Sequence, residues 1–495
     1  MAFISPRVRL MAYRPFDKEP VEVPLDPITK ISSNRGFGPG SISLTFTRGV
    51  APGEIRKVMD LLTDQTVVQL QVKRKPGDEW RQLNLCHVSS ASTTIHAKGE
   101  ESWSPELVTL DGKLQNQVYF ISLPNGAKKL TPEEAAGLPE GSFPRALMQF
   151  GESFKGGVKS LKRLIENFWN EIIVTLMNPE QYGTRTVVFG GKRLVGAVPL
   201  YSNVLDLDAP APYSASGSQD ALSTLKVFST PSYTEQFISF FSFLNQISIG
   251  NSPNFYQIIS SLATAPLYEW FFDPLQGNGV LDEETNYTVK NSQGLFIFRK
   301  TPFFDMFDQS GKWIEPPETI TDIHQLNYSH KDSDIYTGVH VGLTAFDLGA
   351  NAVVFKPKWS GLLGATHGHR PLQIKMDGIK PGDMEPDQIT DALSKIQDRL
   401  FAIFCDSEVP RRNASVSANC TFDFFRVGQP YKIETPKSVK KDYGSYGYVT
   451  QVKDTFSIQE AEASSSVSLK WIDRLSGIPS PSSPAKENPS SDASS

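Results

Sequence analysis

The sequence predicts a β-rich α+β protein, with a β-barrel or β-sandwich module at each end of the chain and a mixed α/β middle. Apolar and polar residues alternate in many short runs near both ends, and this is the pattern of strands that bury one face. The chain contains 36 glycines and 35 prolines, enough turn formers to connect many short strands. Helical periodicity is confined to a few stretches, so helices should be few.

Length, charge and cysteine content restrict the class of protein. With 495 residues, 39% of them hydrophobic, the chain can form several cores. A net charge of −5 supplies no basic field for counterion release, so sequence-specific nucleic-acid binding is not expected. Three widely spaced cysteines favour a reduced protein without a disulfide framework. No apolar run approaches the roughly 20 residues of a membrane-spanning helix, and we expect a soluble protein.

Residues 1–125 are predicted to form the N-terminal β-barrel. Strands are expected in the runs VRLMAY, ISLTFTR, TVVQLQVKR and QLNLCHVSSASTTIHA. In the second run Ile42, Leu44 and Phe46 share one face, while serine and threonine occupy the other. A short helix is expected at 55–62, and Pro76-Gly77-Asp78 predicts a turn before the last of these strands.

Residues 126–235 are predicted to contain a linker, an amphipathic helix and a hairpin. The helix, from Ser153 to Met177, carries a continuous apolar stripe. Such a stripe fits a core helix best, and it also fits a helix that packs on a partner subunit. The hairpin should turn at Gly190-Gly191.

The mixed α/β middle domain is assigned to residues 236–345, and a phenylalanine-rich helix from Thr234 to Ile247 leads into it. A second helix is predicted to start at Ser252-Pro253 and to end at Pro266. Its apolar residues follow helical spacing: Phe255, Ile258, Ile259 and Leu262. The strand LFIFRK then leads to Thr301-Pro302-Phe303, where proline ends the ladder. Two more strands, 323–328 and 335–343, should follow.

Residues 346–475 are assigned to a helix at 386–405 followed by the C-terminal β-barrel. Four runs carry its expected strands: NASVSANCTFDF, RVGQPYKIET, GYVTQVKDTFS and SVSLKWIDRL. The tail at 476–495 is rich in serine and proline, cannot bury enough apolar surface to fold, and is expected to be disordered.

Glu269 and Asp273 are the candidate catalytic residues. They are four positions apart and on a helix would present two carboxylates on one turn, which suggests an acid/base pair for glycoside hydrolysis. Pro266 interrupts the helix before them, however, and a local ion pair to Arg299 or Lys300 is the favoured interpretation.

Other site chemistry is weakly represented in the sequence. His367 and His369 share a loop with Asp377 nearby, but two histidines without a second cluster do not make a metal site. The glycines at 36–40 precede a strand and so fail the dinucleotide fingerprint. We therefore predict no catalytic, cofactor-binding or metal-binding residues.

The stretch from Ser252 to Phe303 resembles the baseplate hub proteins of contractile-tailed bacteriophages. In that family a helix of the form "nvwdiL…a.pp.nElf.D" precedes a strand and an "RptPF" ending. The corresponding residues here are Asn254, Phe255, Ile258, Ile259, Ala265, Pro266, Glu269, Trp270, Phe271, Asp273, Arg299, Thr301, Pro302 and Phe303.

Two later stretches are similar to the same family. ITDIHQLNYSHKDSDIYTGVHV keeps the Ser333-Asp334 step of its "rSDs.v.N" motif, with Lys331 where arginine is frequent and Thr337 in place of asparagine. Arg426-Val427-Gly428, followed by YGYVTQVKDTF, resembles the closing barrel with its "rvG" and "yYVt.V" motifs, except that Lys453-Asp454 replaces a step that usually carries histidine. The resemblance covers roughly residues 250–475.

The resemblance implies a structural virion protein of the tail baseplate, made in the host cytoplasm. Its expected form is a homotrimer whose two barrels per subunit make a pseudo-sixfold ring that adapts a sixfold tail tube to a threefold spike. The expected partners are tail-tube or tube-initiator proteins, the central spike and baseplate wedge proteins, and the ring channel could admit DNA. Two alternatives stay open: a tail-associated peptidoglycan hydrolase using Glu269 and Asp273, and a hub of a tailocin or secretion system.

Overall fold

The structure is a computed structural model. It describes residues 7–14, 20–47, 52–64, 66–75, 77–95, 101–115, 161–174, 188–189, 192–193, 205–207, 254–263, 265–275, 294–329, 331–344, 353–354, 356–377, 386–405, 412–436, 439 and 444–473. The predicted linker, the predicted helix at 234–247 and the tail at 476–495 lie outside the described residues.

The N-terminal module is an antiparallel set of strands with two short helices. Its elements are β1 (Arg7–Tyr13), β2 (Val21–Glu22), β3 (Ile28–Gly36), β4 (Gly38–Phe46), α1 (Pro52–Leu61), β5 (Val67–Lys73), β6 (Arg81–Ile95), β7 (Glu101–Thr109) and α2 (Leu110–Gln115). Ile42 and Leu44 face the core while Ser43 and Thr45 are exposed, as the alternation predicts. Strands β3 and β7 were not predicted, because serine, asparagine and charged residues break up their apolar pattern.

The next segment contributes two helices, a two-stranded hairpin and a three-stranded sheet. Its elements are α3 (Leu161–Phe168), β8 (Val188–Phe189), β9 (Lys192–Arg193), β10 (Leu205–Asp206), α4 (Phe255–Leu262), β11 (Tyr268–Asp273) and β12 (Leu295–Lys300). A π-helical turn, Trp169–Val174, extends α3. Strand β12 lies between β11, which is antiparallel to it, and β10, which is parallel. The hairpin of β8 and β9 is formed as predicted.

Helix α3 is a core helix, as the favoured interpretation of its apolar stripe proposes. Phe168 and Trp169 are fully buried. The Trp169 ring lies 6.0 Å from that of Trp270 and 4.7 Å from that of Phe296. The Phe168 ring lies 6.2 Å from that of Phe255. Phe168 and Trp169 therefore pack within the subunit.

Helix α4 starts two residues later than the sequence predicts. Asn254 is its N-cap: the side chain accepts a 2.7 Å hydrogen bond from the amide of Gln257, whose side chain in turn accepts one of 3.1 Å from the Asn254 amide. This reciprocal capping box satisfies two amides that an uncapped helix would leave free. The predicted apolar face is confirmed, since Phe255, Ile258 and Ile259 are buried.

Residues 301–405 contribute two strands to the main sheet and form a four-stranded sheet, called the smaller sheet below, with a helix packed on it. The elements are a 3₁₀ helix (Pro302–Met306), β13 (Thr319–Ile320), β14 (Ile323–Ser329), β15 (Gly338–Thr344), β16 (Val353–Val354), β17 (Lys358–Trp359), α5 (Gly361–His367), β18 (Pro371–Asp377) and α6 (Pro386–Phe404). Strands β15–β18 form the sheet, and Leu393, Ile396 and Leu400 of α6 are buried in the same core as Val339 and Ile374. None of the helices in the described ranges is both long and apolar enough to cross a membrane.

The last strands join the N-terminal module in one continuous sheet. They are β19 (Ser415–Thr421), β20 (Pro430–Ile433), β21 (Ser445–Ser457) and β22 (Glu462–Lys470). The paired order is β14-β19-β22-β21-β3-β4-β7-β6-β5-β1-β2, with β13 and β20 attached beside β21. Strand β21 pairs antiparallel with β3 from Gln451 opposite Gly36 to Ser457 opposite Lys30. We call this pairing the seam.

The β-rich fold class is confirmed, but the predicted closed barrels are not established. Among the described strands the main path of pairing is open, from β14 at one edge to β2 at the other. Alternation along a sequence predicts which face of a strand is buried, and it carries no information about which strand lies beside it. The sequence patterns therefore could not predict that β3 pairs with β21.

Strand β5 is buried on both faces, although its sequence alternates. Val68, Leu70 and Val72 face the apolar core. On the opposite face Gln69 and Gln71 are also buried. The Tyr13 hydroxyl donates to the Gln69 carbonyl oxygen over 3.0 Å and the Gln71 amide donates to it over 2.6 Å, while the Gln69 amide donates to Gln82. Glutamine can be buried here because each amide finds a partner.

A buried ion pair crosses the seam. Arg35 of β3 donates to Asp454 of β21 over 2.8 Å, and to the carbonyl oxygen of Phe425 over 3.0 Å. The second oxygen of Asp454 accepts a 2.6 Å hydrogen bond from Ser465. Arg35 is 2% exposed and Asp454 is 0% exposed. Burial raises the pKa of Asp454, and the charge of Arg35 opposes that rise.

Replacing Arg35 by methionine tests the seam. Arg35→Met would leave Asp454 as an uncompensated buried charge, and we expect a loss of about 3–5 kcal/mol in the free energy of unfolding at pH 7. The loss should shrink at acidic pH, because a protonated Asp454 needs no cation. Urea unfolding at both pH values measures it. Arg56→Met, at an exposed position on α1, is the control and should be nearly neutral; equal effects of the two changes would contradict the role of the pair.

Candidate functional site

The candidate carboxylates lie on a strand and not on a helical turn. Glu269 and Asp273 are both in β11, where Glu269 is directly opposite Arg299 of β12. The helical placement is therefore wrong: α4 ends at Leu262, and large aromatic residues fill β11, which favours an extended chain packed on both sides. The local ion pair of Glu269 with Arg299 is confirmed.

Both carboxylate oxygens of Glu269 are occupied. One accepts a 2.5 Å hydrogen bond from Nε of Arg299, and the other a 2.5 Å hydrogen bond from the Tyr448 hydroxyl. Tyr448 belongs to β21 and is fully buried, with its ring stacked against Trp471 at 5.1 Å. Glu269 thus ties the middle hairpin, β11 and β12, to the C-terminal strands.

Arg299 extends the same connection to a loop. Its Nη2 donates a 2.8 Å hydrogen bond to the carbonyl oxygen of Gly428, and its guanidinium lies 5.4 Å from the centre of the Phe271 ring. Gly428 has a positive φ of 75°, and a Cβ at this position would lie 2.8 Å from Nη2 of Arg299 and 2.9 Å from Cζ of Phe271. The backbone turn and the lack of a side chain are both required here. We call Glu269, Arg299, Gly428 and Tyr448 the junction.

The electrostatics of the junction follow from burial and pairing. Burial raises the pKa of Glu269, while Arg299 and the Tyr448 hydroxyl limit the rise. Burial also acts to lower the pKa of Arg299, but the Glu269 carboxylate outweighs it and the net pKa is raised. Burial, followed by the charge of Glu269, raises the pKa of Tyr448 well above its usual range. Tyr448 therefore stays a hydroxyl donor at physiological pH.

Asp273, on the same face of β11 as Glu269, lies at the end of the hairpin near the N-terminal module. One oxygen accepts a 2.9 Å hydrogen bond from the amide of Leu275. The adjacent carbonyl of Pro274 accepts a 2.6 Å hydrogen bond from Gln82 of β6. Burial raises the pKa of Asp273, and the charges of Arg35, Arg426 and Arg299 oppose it. The hairpin therefore touches the N-terminal module at one end and the C-terminal strands at the other.

Phe271, which lies between Glu269 and Asp273 in β11, contacts one residue from each of the two β modules. Its ring makes an edge contact with Phe37 at 5.1 Å, and Phe37 is in the turn between β3 and β4. The same ring lies against Gly428, as described above. This end of the hairpin therefore contacts both modules, through Glu269 and Phe271 on one face of β11 and through the carbonyl oxygen of Pro274.

The hydrolase interpretation lacks the geometry that it needs. Four residues along a strand separate two Cα atoms by about 13 Å, whereas glycosidase carboxyl groups are about 5–9.5 Å apart. Glu269 is 5% exposed and Asp273 is 3% exposed, so neither faces solvent. Both oxygens of Glu269 already serve Arg299 and Tyr448, and a substrate would have to break those bonds.

The Thr301-Pro302-Phe303 ending of β12 has a structural role. The Thr301 hydroxyl donates to the carbonyl oxygen of Pro266 and also accepts from the amide of Phe303, which caps the 3₁₀ helix. Phe303 is fully buried and its ring stacks on Phe404 of α6 at 5.6 Å. This segment therefore joins the hairpin to the smaller sheet.

The candidate histidines His367 and His369 are not part of the junction. His367 ends α5, and the His369 ring packs at 4.6 Å against Trp359. His87 is buried in β6, and burial lowers its pKa to about 4. Across the described residues no group of three or more histidine, cysteine, aspartate or glutamate side chains is arranged to hold a metal ion. All three cysteines are buried free thiols.

Tyr448 and Gly428 were missed as partners of Glu269 and Arg299. Both occur in the stretches that resemble the hub family, but they lie 179 and 129 positions away from Glu269 and Arg299, respectively. No local pattern connects segments so far apart. The available signal was a tyrosine and a glycine within otherwise apolar runs, which is too common to identify a contact.

Replacing Gly428 by alanine tests the close approach at the junction. Gly428→Ala should lower the free energy of unfolding by about 2–4 kcal/mol, because it combines a strained φ with overpacking against Arg299 and Phe271. Gly364→Ala in α5 is the control, since a Cβ at Gly364 would meet no atom within 4 Å and the helical backbone there suits alanine. The control should be neutral or slightly stabilising. Equal losses in chemical unfolding would show that the contact is not tight.

A double-mutant cycle measures the bond between Glu269 and Tyr448. Tyr448→Phe should cost about 1–3 kcal/mol because it leaves a buried oxygen of Glu269 unsatisfied. Combined with Glu269→Gln, its effect should fall short of additivity by at least about 1 kcal/mol. The same cycle with Tyr13→Phe, whose hydroxyl bonds to Gln69 in the N-terminal module, should be additive. Additivity in both cycles would argue against the bond.

Comparison with known proteins finds likeness only among solved structures. No family model and no curated protein matches the sequence. The tail protein from Neisseria meningitidis MC58 is 8% identical with a TM-score of 0.43, and the match covers 94% of this chain and 96% of that one. The prophage tail protein gp18 from Listeria monocytogenes EGD-e is 8% identical with a TM-score of 0.40, covering 93% and 94%.

A third similar structure comes from a secretion system. The E. coli c3393 protein is described as a component of the type VI secretion system with structural similarity to the T4 bacteriophage tail proteins gp27 and gp5. It is 9% identical with a TM-score of 0.30, and the match covers 90% of this chain and 73% of that one. The structural neighbours of this chain are thus phage tail proteins and a secretion-system component.

Proposed function

We propose that this protein is a structural component of a contractile tail, the hub of the baseplate. It assembles as a homotrimer and connects the sixfold tail tube to the threefold spike. Its partners are tail-tube or tube-initiator proteins, the central spike and the surrounding wedge proteins. A hub of a tailocin or a secretion system would have the same form.

One observation carries the proposal: the residues that give the sequence its resemblance to the hub family meet in the junction. Glu269 comes from the helix-and-strand motif, and Arg299 from the strand that ends in Thr301-Pro302-Phe303. Gly428 comes from the "rvG" motif and Tyr448 from the "yYVt" motif. One chain of hydrogen bonds links these four residues, from Tyr448 to Glu269, from Glu269 to Arg299 and from Arg299 to Gly428.

The arrangement of the modules also supports a role as an adaptor. A ring with pseudo-sixfold symmetry from three chains needs two comparable modules per chain in a fixed relation. Here the seam joins two β modules, and the middle hairpin contacts both of them through Glu269, Phe271 and the carbonyl oxygen of Pro274. We place the domain boundaries near residues 125, 235, 345 and 475. Strand β14 lies before the boundary at 345, but it completes the sheet of the C-terminal module by pairing with β19.

Curvature of the C-terminal strands supports a barrel within this proposal. Strand β13 pairs with β20 while β14 pairs with β19, and the two segments are separated only by Thr321 and Asp322. Asp322 has a φ of 51°, which turns the chain sharply. One nearly continuous segment therefore contacts strands on both flanks of the module, as the closure of a small barrel requires.

The mass of the assembly in solution tests the proposal. Analytical ultracentrifugation of the full chain at micromolar concentration should give a species of three copies, and negative-stain images should show a threefold ring with six lobes around a channel. The Gly428→Ala protein serves as a comparison. Weaker contacts at the junction should make the six lobes less sharply defined in the images, while the protein stays folded. A strict monomer that binds neither tube nor spike subunits would overturn the hub assignment.

Peptidoglycan clearing distinguishes the hub from the hydrolase alternative. The purified wild-type protein and its Glu269→Gln variant should both fail to clear peptidoglycan in a zymogram that a lysozyme standard clears. Clearing by the wild type that disappears in a folded Glu269→Gln protein would establish the hydrolase and refute our assignment of Glu269 to the junction.

A further inference from the structure

Asp111 is a buried acid that the junction does not use. It lies in the first turn of α2 and is 1% exposed. Helix α2 packs against β4, β6, β7 and α4. Since α4 leads directly into β11, this packing connects the N-terminal module to the middle hairpin by a route separate from the junction.

The hydrogen bonds around Asp111 indicate whether its carboxyl group is protonated. The Thr109 hydroxyl accepts a 2.7 Å hydrogen bond from the amide of Gly40, lies 3.1 Å from the carbonyl oxygen of Gly40, and makes a short contact with Oδ1 of Asp111. A hydroxyl has one hydrogen and two acceptor positions. If Asp111 were ionised, Thr109 would have one hydrogen for two acceptor oxygens, so one of those two contacts could not be a hydrogen bond.

A protonated Asp111 satisfies all three contacts. Its own hydrogen is then donated to Thr109, Thr109 donates to the carbonyl oxygen of Gly40, and the Gly40 amide donates to Thr109. The amide of Gly112 still donates to Oδ1 over 3.1 Å. We propose that Asp111 is a neutral carboxylic acid in the folded protein and that its ionisation weakens the contact between α2 and α4.

The groups facing Asp111 make the charged form costly. From β6 comes Cys86, whose pKa is raised well above its usual value by burial and then by Asp111. From α4 comes Tyr256, whose pKa is raised to about 12 by burial and then by the charge of Asp111. Lys113 of α2 is partly buried, and burial lowers its pKa.

Burial raises the pKa of Asp111 from 3.8 to about 7, while hydrogen bonds from Thr109 and Gly112 oppose the rise. Since the folded pKa is above the unfolded one, the stabilising effect of the proton is complete below about pH 4 and is lost as the pH rises to about 7. Ionisation in the folded state, with weaker packing of α2 on α4, follows above neutral pH.

Comparison with Asp111→Asn isolates this effect. Asparagine mimics the neutral acid, so the ratio of the wild-type unfolding constant to that of the variant should rise by up to about tenfold per pH unit between pH 5 and 7 and then level off. His87 titrates in the opposite sense in both proteins, and its contribution cancels in the ratio. Asp60→Asn, an exposed carboxylate on α1, is the control and should give a ratio that does not depend on pH.

Hydrogen exchange locates the change. After correction for intrinsic rates, amides of α2 and α4 should exchange faster in the wild type than in Asp111→Asn at pH 8.5, and equally at pH 5, with β22 as the internal reference. A ratio of unfolding constants that stays flat from pH 5 to 8 would overturn the proposal. If Asp111→Asn does not fold, the wild type decides alone: α2 and α4 must loosen relative to β22 above neutral pH, and unchanged protection would refute the proposal.

Discussion

The buried pair of Glu269 and Arg299 is the interaction on which the arrangement of the modules depends. An ion pair between directly opposite residues of neighbouring strands contributes little to the stability of a protein when it is exposed at the surface. Inside the protein each charge needs full pairing, and the partners come from elsewhere in the chain: the Tyr448 hydroxyl and the Gly428 carbonyl. The requirement to satisfy a buried charge thus determines how the hairpin meets the C-terminal strands, with a geometric specificity that apolar packing would not provide.

A single strand, β11, combines two kinds of packing. Trp270 and Phe272 face helix α3 and strand β12, where large rings make the contact. Glu269, Phe271 and Asp273 face the two β modules. A strand with an apolar face and a second buried face that carries two carboxylates can join a helical layer to a sheet without leaving a solvent-exposed side. The same two carboxylates that suggested an acid/base pair in the sequence are explained by this position.

Local patterns predicted most elements because alternation and helical spacing are local properties. The faces of β4, α4 and α6 follow directly from their apolar residues. Neighbours in the sheet could not be predicted in the same way: β3 is polar at Ser32, Ser33 and Asn34, and its pairing with β21 depends on residues far along the chain.

At the junction the ion pair could be predicted from the sequence, since Glu269 and Arg299 belong to one hairpin. Their partners Tyr448 and Gly428 could not, because only the tertiary fold brings them close. The buried glutamines of β5 were hidden for a related reason, because polar residues in alternation suggest a solvated face until their hydrogen-bond partners are known.

The seam has a consequence for how the protein is made. Its two ion-pair residues are 419 positions apart in the chain, so β3 emerges from the ribosome long before β21 exists. During that interval β3 presents an unpaired edge, which is the feature through which partly made β proteins associate wrongly. Completion of the sheet must wait for the C-terminal strands, and contacts of such high sequence separation form slowly. Efficient production should therefore depend on chaperones that shield the nascent edge, and chains truncated before β21 should aggregate.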